Sequence, residues 1–152
     1  MRNEKVDAFL ASHGFNVLEF EEGSTATAPM AANQLGVKTD QIAKSILLKG
    51  KDGKNYLAVI PGAQKLSSSK IKAATGTKCS MMDGDEAFAA TGYHPGGVCP
   101  FLTENITILI DQSLKELGDI YPAAGTSSTA VKIDFDSLVR ITGGTPCDVI
   151  AK

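Results

Sequence analysis

Two apolar runs, residues 42–49 and 55–60, flank the segment Gly50-Lys51-Asp52-Gly53-Lys54, and no other feature limits the fold so strongly. Short apolar stretches joined by a glycine-rich turn of this length form an antiparallel hairpin. A hairpin alone is marginal in water, so the rest of the chain has to supply further strands and a covering layer. It has the means to do so. Val6, Phe9 and Leu10 have helical spacing before the stop His13-Gly14, and residues 15–21 alternate as a strand. Helices are predicted over 31–35 before Gly36, over 67–74 before Gly76, and over 83–90, where Asp83, Asp85 and Glu86 favour the positive end of the helix dipole. Residues 78–82 and the β-branched run 106–110 read as strands, and Asp111 caps a short helix through Leu117. Residues 120–123 and 129–133 read as strands around the loop 124–128, and 136–141 is a last helix stopped by Gly143-Gly144. This irregular mixture points to the α/β (α+β) class with a mixed sheet.

The 152 residues are expected to form one domain, 1–152, which at this length buries about two-thirds of its unfolded surface without a disulfide or metal. Cys79, Cys99 and Cys147 are odd in number and form no CxxC pair, and His13 and His94 lack metal-ligand spacing, so no metal and no cofactor are expected. No apolar run approaches the roughly 18 residues of a membrane span, and charges interrupt the start where a signal peptide would be apolar. The expectation is a cytoplasmic protein with no membrane partner.

The net charge is −2, which by itself argues against a nucleic-acid partner. Its distribution argues the other way. Between residues 38 and 78, nine lysines face only Asp40 and Asp52, a local +7, and the remainder carries −9. Such polarity suits a basic face that meets an anion, although a merely solvated surface would look the same. Ser67-Ser68-Ser69-Lys70 fits the SxxK pattern without its partner motifs, and no phosphate-binding GxxxxGK[ST] or GxGxxG is present.

Two segments fit a purely structural role poorly. Lys44 sits inside the apolar run Gln41-Ile42-Ala43-Lys44-Ser45-Ile46-Leu47-Leu48. It lies either on the solvent face of the strand or at a cleft, where an ammonium needs an anion to offset desolvation. The second segment is Thr91-Gly92-Tyr93-His94-Pro95-Gly96-Gly97-Val98-Cys99-Pro100-Phe101, with three glycines and two prolines. Free backbone N–H groups in such a loop can hold a carbonyl or an oxyanion. The alternative is a long structural turn.

These segments, with Val59-Ile60-Pro61-Gly62, Ile110-Asp111, Ala124-Gly125 and Asp136-Ser137-Leu138 in the same order, resemble the YbaK/prolyl-tRNA-synthetase-associated editing-domain family over roughly residues 28–144. The resemblance implies a mixed, partly barrel-like sheet flanked by short helices, and a free-standing aminoacyl-tRNA deacylase that needs no metal. The implied substrate is a proline tRNA carrying a small non-cognate residue such as Cys, Ala or 2-aminobutyrate, bound by its 3′ acceptor end. Prolyl-tRNA synthetase or another synthetase is an implied docking partner, and the oligomeric state is left open. By the same resemblance Lys44 binds the terminal phosphate or sugar, and the backbone of Gly97, Val98 and Cys99 holds the aminoacyl carbonyl. Ser45, Gly96, Pro100, Phe101 and Gly125 contribute to substrate binding, and the ribose 2′-hydroxyl assists the attacking water. The chain departs from the family at Cys99, where many members have Ser or Thr, at Leu102, where many have Gly, and at Thr126-Ser127-Ser128, where many are basic. Two rival readings remain: a catalytically silent tRNA- or synthetase-binding module, and a thiol enzyme built on Cys99.

Overall fold

The computed structural model describes residues 2–151. Helix α1 (Glu4–Ser12) starts where the Asn3 side chain accepts the Val6 N–H, and it buries Val6 and Leu10. Strand β1 (Val17–Glu19) is shorter than its alternation predicts, because Phe15 N–H still bonds the helix at the Leu10 carbonyl. Helix α2 (Ala28–Leu35) begins earlier than predicted: Thr27 caps it at Met30 N–H, and Pro29 sits in the first turn, where its missing N–H costs nothing. A 3₁₀ turn (Thr39–Gln41) then feeds the predicted hairpin, β2 (Ala43–Gly50) and β3 (Asn55–Pro61), in a register that sets Lys44 opposite Ile60.

Helix α3 (Ser68–Thr75), strand β4 (Cys79–Met81) and helix α4 (Gly84–Thr91) follow, the helices capped by Ser67 and Asp83. After the glycine-rich loop come β5 (Ile106–Asp111) and a second 3₁₀ helix (Gln112–Leu117), the short helix that the cap at Asp111 predicts. Strands β6 (Asp119–Ile120), β7 (Thr129–Val131) and β8 (Ile133–Asp134), helix α5 (Phe135–Thr142) and strand β9 (Thr145–Cys147) complete the chain. The run predicted as one strand over 129–133 breaks at Lys132, because Val131 pairs with Val17 while Ile133 pairs with Ile120. Strand β9 went unpredicted, since Thr145-Pro146-Cys147 is short and Pro146 signals a turn; as an edge strand it tolerates the proline.

The main sheet has the order β4-β2-β3-β5-β9, with β2 antiparallel to β3 and β4, and β3, β5 and β9 parallel. Two ribbons, β1 with β7 and β6 with β8, extend from one end of it. Tyr121 makes the join: its carbonyl accepts the Ala43 N–H (3.2 Å) and its N–H donates to the Gln41 carbonyl (2.7 Å). The sheet therefore curls at the start of β2. One of its faces buries Leu47, Leu57, Val59 and Ile110 against Phe101, Leu10 and Leu138, and the other buries Leu48, Tyr56, Ala58 and Ile60 under Ile71 and Val149. The period-2 alternation of the strands thus feeds two apolar layers at once.

Leu102 has φ +56°, a left-handed conformation that costs a side-chain-bearing residue free energy, and it leaves its side chain 46% exposed. Glycine in its place removes that strain. Leu102→Gly is expected to raise stability by about 0.5–1 kcal/mol, the left-handed penalty less the extra chain entropy of glycine, as read by urea unfolding. A loss of stability would show that Leu102 packs productively.

Candidate active site at the start of the second strand

Where the ribbons meet the main sheet, a cavity of about 250 Å³ opens beside the first residues of β2. Ile42, Ala43, Lys44 and Ser45 form one wall. The turn before α2 and its first residues, Thr25 to Ala28 with Ala31 and Leu35, form the opposite one, and Tyr121, Ala123, Thr129 and Ala130 close the back. Gly96, Val98 and Ser127 make the lip. The lining is mostly small and apolar, with a few hydroxyls and one ammonium.

That ammonium is Lys44. It is half-buried and makes no ion pair among the described residues. Partial burial holds its pKa below the ordinary lysine value; repulsion from Lys65 adds to this, and attraction to Asp40 opposes it. Next to it, the Ser45 hydroxyl is buried and has no hydrogen-bond partner among the described residues. A buried hydroxyl left unpaired costs stability, so its natural partner is a group that enters the cavity.

The two glycine loops are packed against each other. Gly97 N–H donates to the His94 carbonyl (2.9 Å), closing a turn. A Cβ on Gly97 would lie 2.8 Å from the Gly125 carbonyl oxygen and 2.9 Å from Thr126 Cα, so only glycine lets the backbones approach this closely. Cys99 sits behind this contact, fully buried, against the Tyr93 hydroxyl and the N–H groups of Phe101 and Gly125. Burial pushes its thiol up to about 11, and those donors offset only part of the effect. The Tyr93 hydroxyl donates to the Phe101 carbonyl and pins the end of the loop.

Of the residues singled out from sequence, Lys44, Ser45, Gly96 and Val98 line the cavity. Gly97, Cys99, Pro100, Phe101 and Gly125 form the layer behind it: Phe101 and Pro100 are buried in the core, and Gly125 meets Asn3 of the first helix cap. The Gly97 N–H, expected to face the aminoacyl carbonyl, is already spent inside its own turn. Among the described residues no hydrogen bond uses the N–H of the neighbouring Val98. A thiol as buried and as weakly acidic as Cys99 is a poor nucleophile. Cys99→Ser is expected to keep activity within about threefold, and native Cys99 to resist alkylation until the protein is unfolded; fast alkylation with loss of activity would reinstate the thiol enzyme.

Sequence reasoning missed Phe20, Thr27, Ala28, Ala31, Tyr121 and Ser127 as cavity walls. The one available signal was the run of small residues Ala26-Thr27-Ala28-Pro29-Met30-Ala31-Ala32, which leaves space beside a helix. Among the described residues no helix is long and apolar enough to cross a membrane, and no group of three or more His, Cys, Asp or Glu side chains could hold a metal ion.

Comparison with known proteins agrees with this geometry. Residues 22–141 match the model of the aminoacyl-tRNA editing domain family. The uncharacterized protein YwhH of Bacillus subtilis is 35% identical over 119 residues, covering 78% of this chain and 75% of that one. EbsC of Enterococcus faecalis, a candidate Cys-tRNA(Pro)/Cys-tRNA(Cys) deacylase by name, is 25% identical over 128 residues, covering 83% and 78%. The crystal structure of a candidate trans-editing enzyme for prolyl tRNA synthetase superposes with a TM-score of 0.90 at 26% identity, over 98% of this chain and 96% of that one. The shared mixed sheet, and a family match that spans every wall of the cavity except Phe20, establish that this chain belongs to the aminoacyl-tRNA editing domain family, as an aminoacyl-tRNA deacylase of the YbaK type.

Proposed function

We propose that the domain, residues 1–152, edits in trans, and that the cavity at the start of β2 receives the 3′ aminoacyl end of a proline tRNA mischarged with a small residue: Cys, Ala or 2-aminobutyrate. The observation that carries this reading is the ion-pair-free Lys44 ammonium lining a small, largely apolar cavity beside the unpaired Ser45 hydroxyl. A half-buried ammonium with no carboxylate at ion-pair distance among the described residues fits a site whose anion arrives with the substrate. The names carried by EbsC and by the structural relative favour proline tRNA as the acceptor.

In this reading Lys44 holds the terminal phosphate or ribose, and Lys65, the nearby like charge, adds to the attraction. Ser45 hydrogen-bonds the amino group or the ester, and the Val98 N–H faces the oxygen that becomes negative as water adds to the carbonyl. Water forms the new bond to the acyl carbon, the bond to the ribose 3′ oxygen breaks, and the proton of the water passes to that oxygen with help from the neighbouring 2′-hydroxyl. The rate comes from positioning, and no protein nucleophile is required. The small walls at Ala28, Ala31 and Ala43 leave room for a short side chain. Docking on prolyl-tRNA synthetase or another synthetase is a compatible setting, since the lysine-rich stretch is confined to residues 38–78.

The direct test is amino-acid release from proline tRNA charged with Ala, Cys, Ser, 2-aminobutyrate or Pro. Rapid release of one or more small residues with prolyl-tRNA spared is expected. Release of proline at the same rate overturns the editing reading. No release from any of them, with tRNA still bound, identifies a silent binding module.

A further inference from the structure

Ser45 and Val98 line two cavities. Behind the first lies a second, of about 190 Å³, bounded also by Leu47, Met82, Ala87 and Pro95. Next in sequence to its lining residues Ala87 and Pro95 stand two rings: Phe88 on α4 and His94 on the glycine loop stack with centroids 4.6 Å apart and planes 28° from parallel. The sequence builds this pair locally. Gly84 and Phe88 are four residues apart, so they share one face of α4. A Cβ on Gly84 would come within 3.0 Å of Pro95 Cγ; its absence lets the loop lie on the helix and brings His94 over Phe88.

Phe88 nevertheless stays 45% exposed, and His94 is exposed too. The start of α4 carries Asp83, Asp85 and Glu86, so this surface does not attract phosphate. Half-exposed rings beside acidic side chains suit a flat, uncharged, heteroaromatic group.

Resting on the deacylase reading of the first cavity, we propose that Phe88 and His94 form a stacking platform for a nucleobase of the single-stranded 3′ end, upstream of the aminoacylated nucleotide. The strand crosses Val98 from the first cavity to the second, and its sugar–phosphate backbone keeps to the side of Lys44 and the nearby Lys65. Stacking on a ring is tolerant of base identity, because every base has a π-face. The platform therefore recognises the presence of an upstream nucleotide and adds no sequence readout.

The test compares one amino acid esterified to full-length tRNA with the same amino acid esterified to adenosine alone, which reaches only the first cavity. For Phe88→Ala, kcat/KM on the tRNA ester is expected to fall about 5- to 100-fold, through KM, while the adenosine ester changes by less than about twofold. Phe88→Trp restores the tRNA ester, and the salt dependence of KM is unchanged, since no phosphate contact is lost. An equal fall on both esters with a lowered melting temperature would show that the ring pair only braces the loop, and an unaffected tRNA ester would show that nothing stacks there; either overturns the platform. A wild-type protein that hydrolyses neither ester refutes the deacylase reading instead, and the platform with it.

Discussion

Replacing Lys44 by alanine is expected to lower kcat/KM for aminoacyl-ester hydrolysis by about 10- to 100-fold, chiefly through KM, the usual cost of losing a charge-assisted contact to the substrate. The fold should be untouched. Lys44 has no ion-pair partner to lose among the described residues, and its removal relieves a partial desolvation and the repulsion from Lys65, which together outweigh the lost attraction to Asp40. The melting temperature is therefore expected to stay the same or rise slightly, a trade of stability for function. The pH dependence has a definite sign. Because its pKa is lowered, the ammonium and the binding that depends on it fade, as pH rises, at a lower pH than for an ordinary surface lysine. That fading should appear in KM, and it should be missing in Lys44→Ala. A Lys44→Ala enzyme with wild-type kcat/KM would remove the residue from the site.

The second large effect is expected at Gly97. Its φ is unremarkable for any residue, so the argument rests on space alone: an added Cβ would meet the Gly125 carbonyl oxygen at 2.8 Å and Thr126 Cα at 2.9 Å, and both are backbone atoms. Neither can rotate away, so the two loops must part. Overpacking of this kind costs about 1–3 kcal/mol, and for a domain of this size each kcal/mol lowers the melting temperature by roughly 2–4 °C. Parting the loops also moves Gly96 and Val98 relative to Ser127, which together form the cavity lip. Since a displacement near 1 Å at a reacting centre can cost about 100-fold, Gly97→Ala should lose activity out of proportion to its stability. Thermal unfolding and single-turnover hydrolysis of the same preparation check both parts, and wild-type values in both would contradict the loop packing.

Much of the fold was legible because it is written locally. The hairpin appeared with the register that two apolar runs and the turn at 50–54 demand, and the helices starting at Asn3, Ser67 and Asp83 followed their capping residues. The elements that failed depend on partners distant in sequence. Strand β1 is held to three residues by the Phe15 bond to the helix before it and by the length of its partner β7, and β7 itself ends where the chain changes partner at Lys132. Strand β9 exists because β5 presents a free edge, a fact that no window around Pro146 contains.

The site divided in the same way. Lys44 stood out as a charge in an apolar run, and it does line the cavity. The glycine loop has the composition of a row of free donors, whereas Gly97 spends its N–H on the His94 carbonyl and its missing side chain serves contact with the Gly125 loop. Glycine at such a position signals close approach, and the sequence alone does not say whether the approaching group is a ligand or another loop. The walls supplied by Ala28, Ala31 and Tyr121 were hidden because small and aromatic residues have ordinary structural uses everywhere. Ser45 gained its interest only from an absence, the missing partner of its buried hydroxyl, and such an absence exists only in three dimensions.

The most direct test of the central claim is a crystal structure of the protein with 3′-alanylamino-3′-deoxyadenosine, in which an amide replaces the scissile ester. The alanyl group is expected between α2 and β2, with its amide oxygen toward the Val98 N–H, a hydrogen bond from the ligand to Ser45, and the ribose beside Lys44. An analogue bound elsewhere, or bound here with Lys44 and Ser45 both uninvolved, would contradict the assignment of this cavity as the deacylase site.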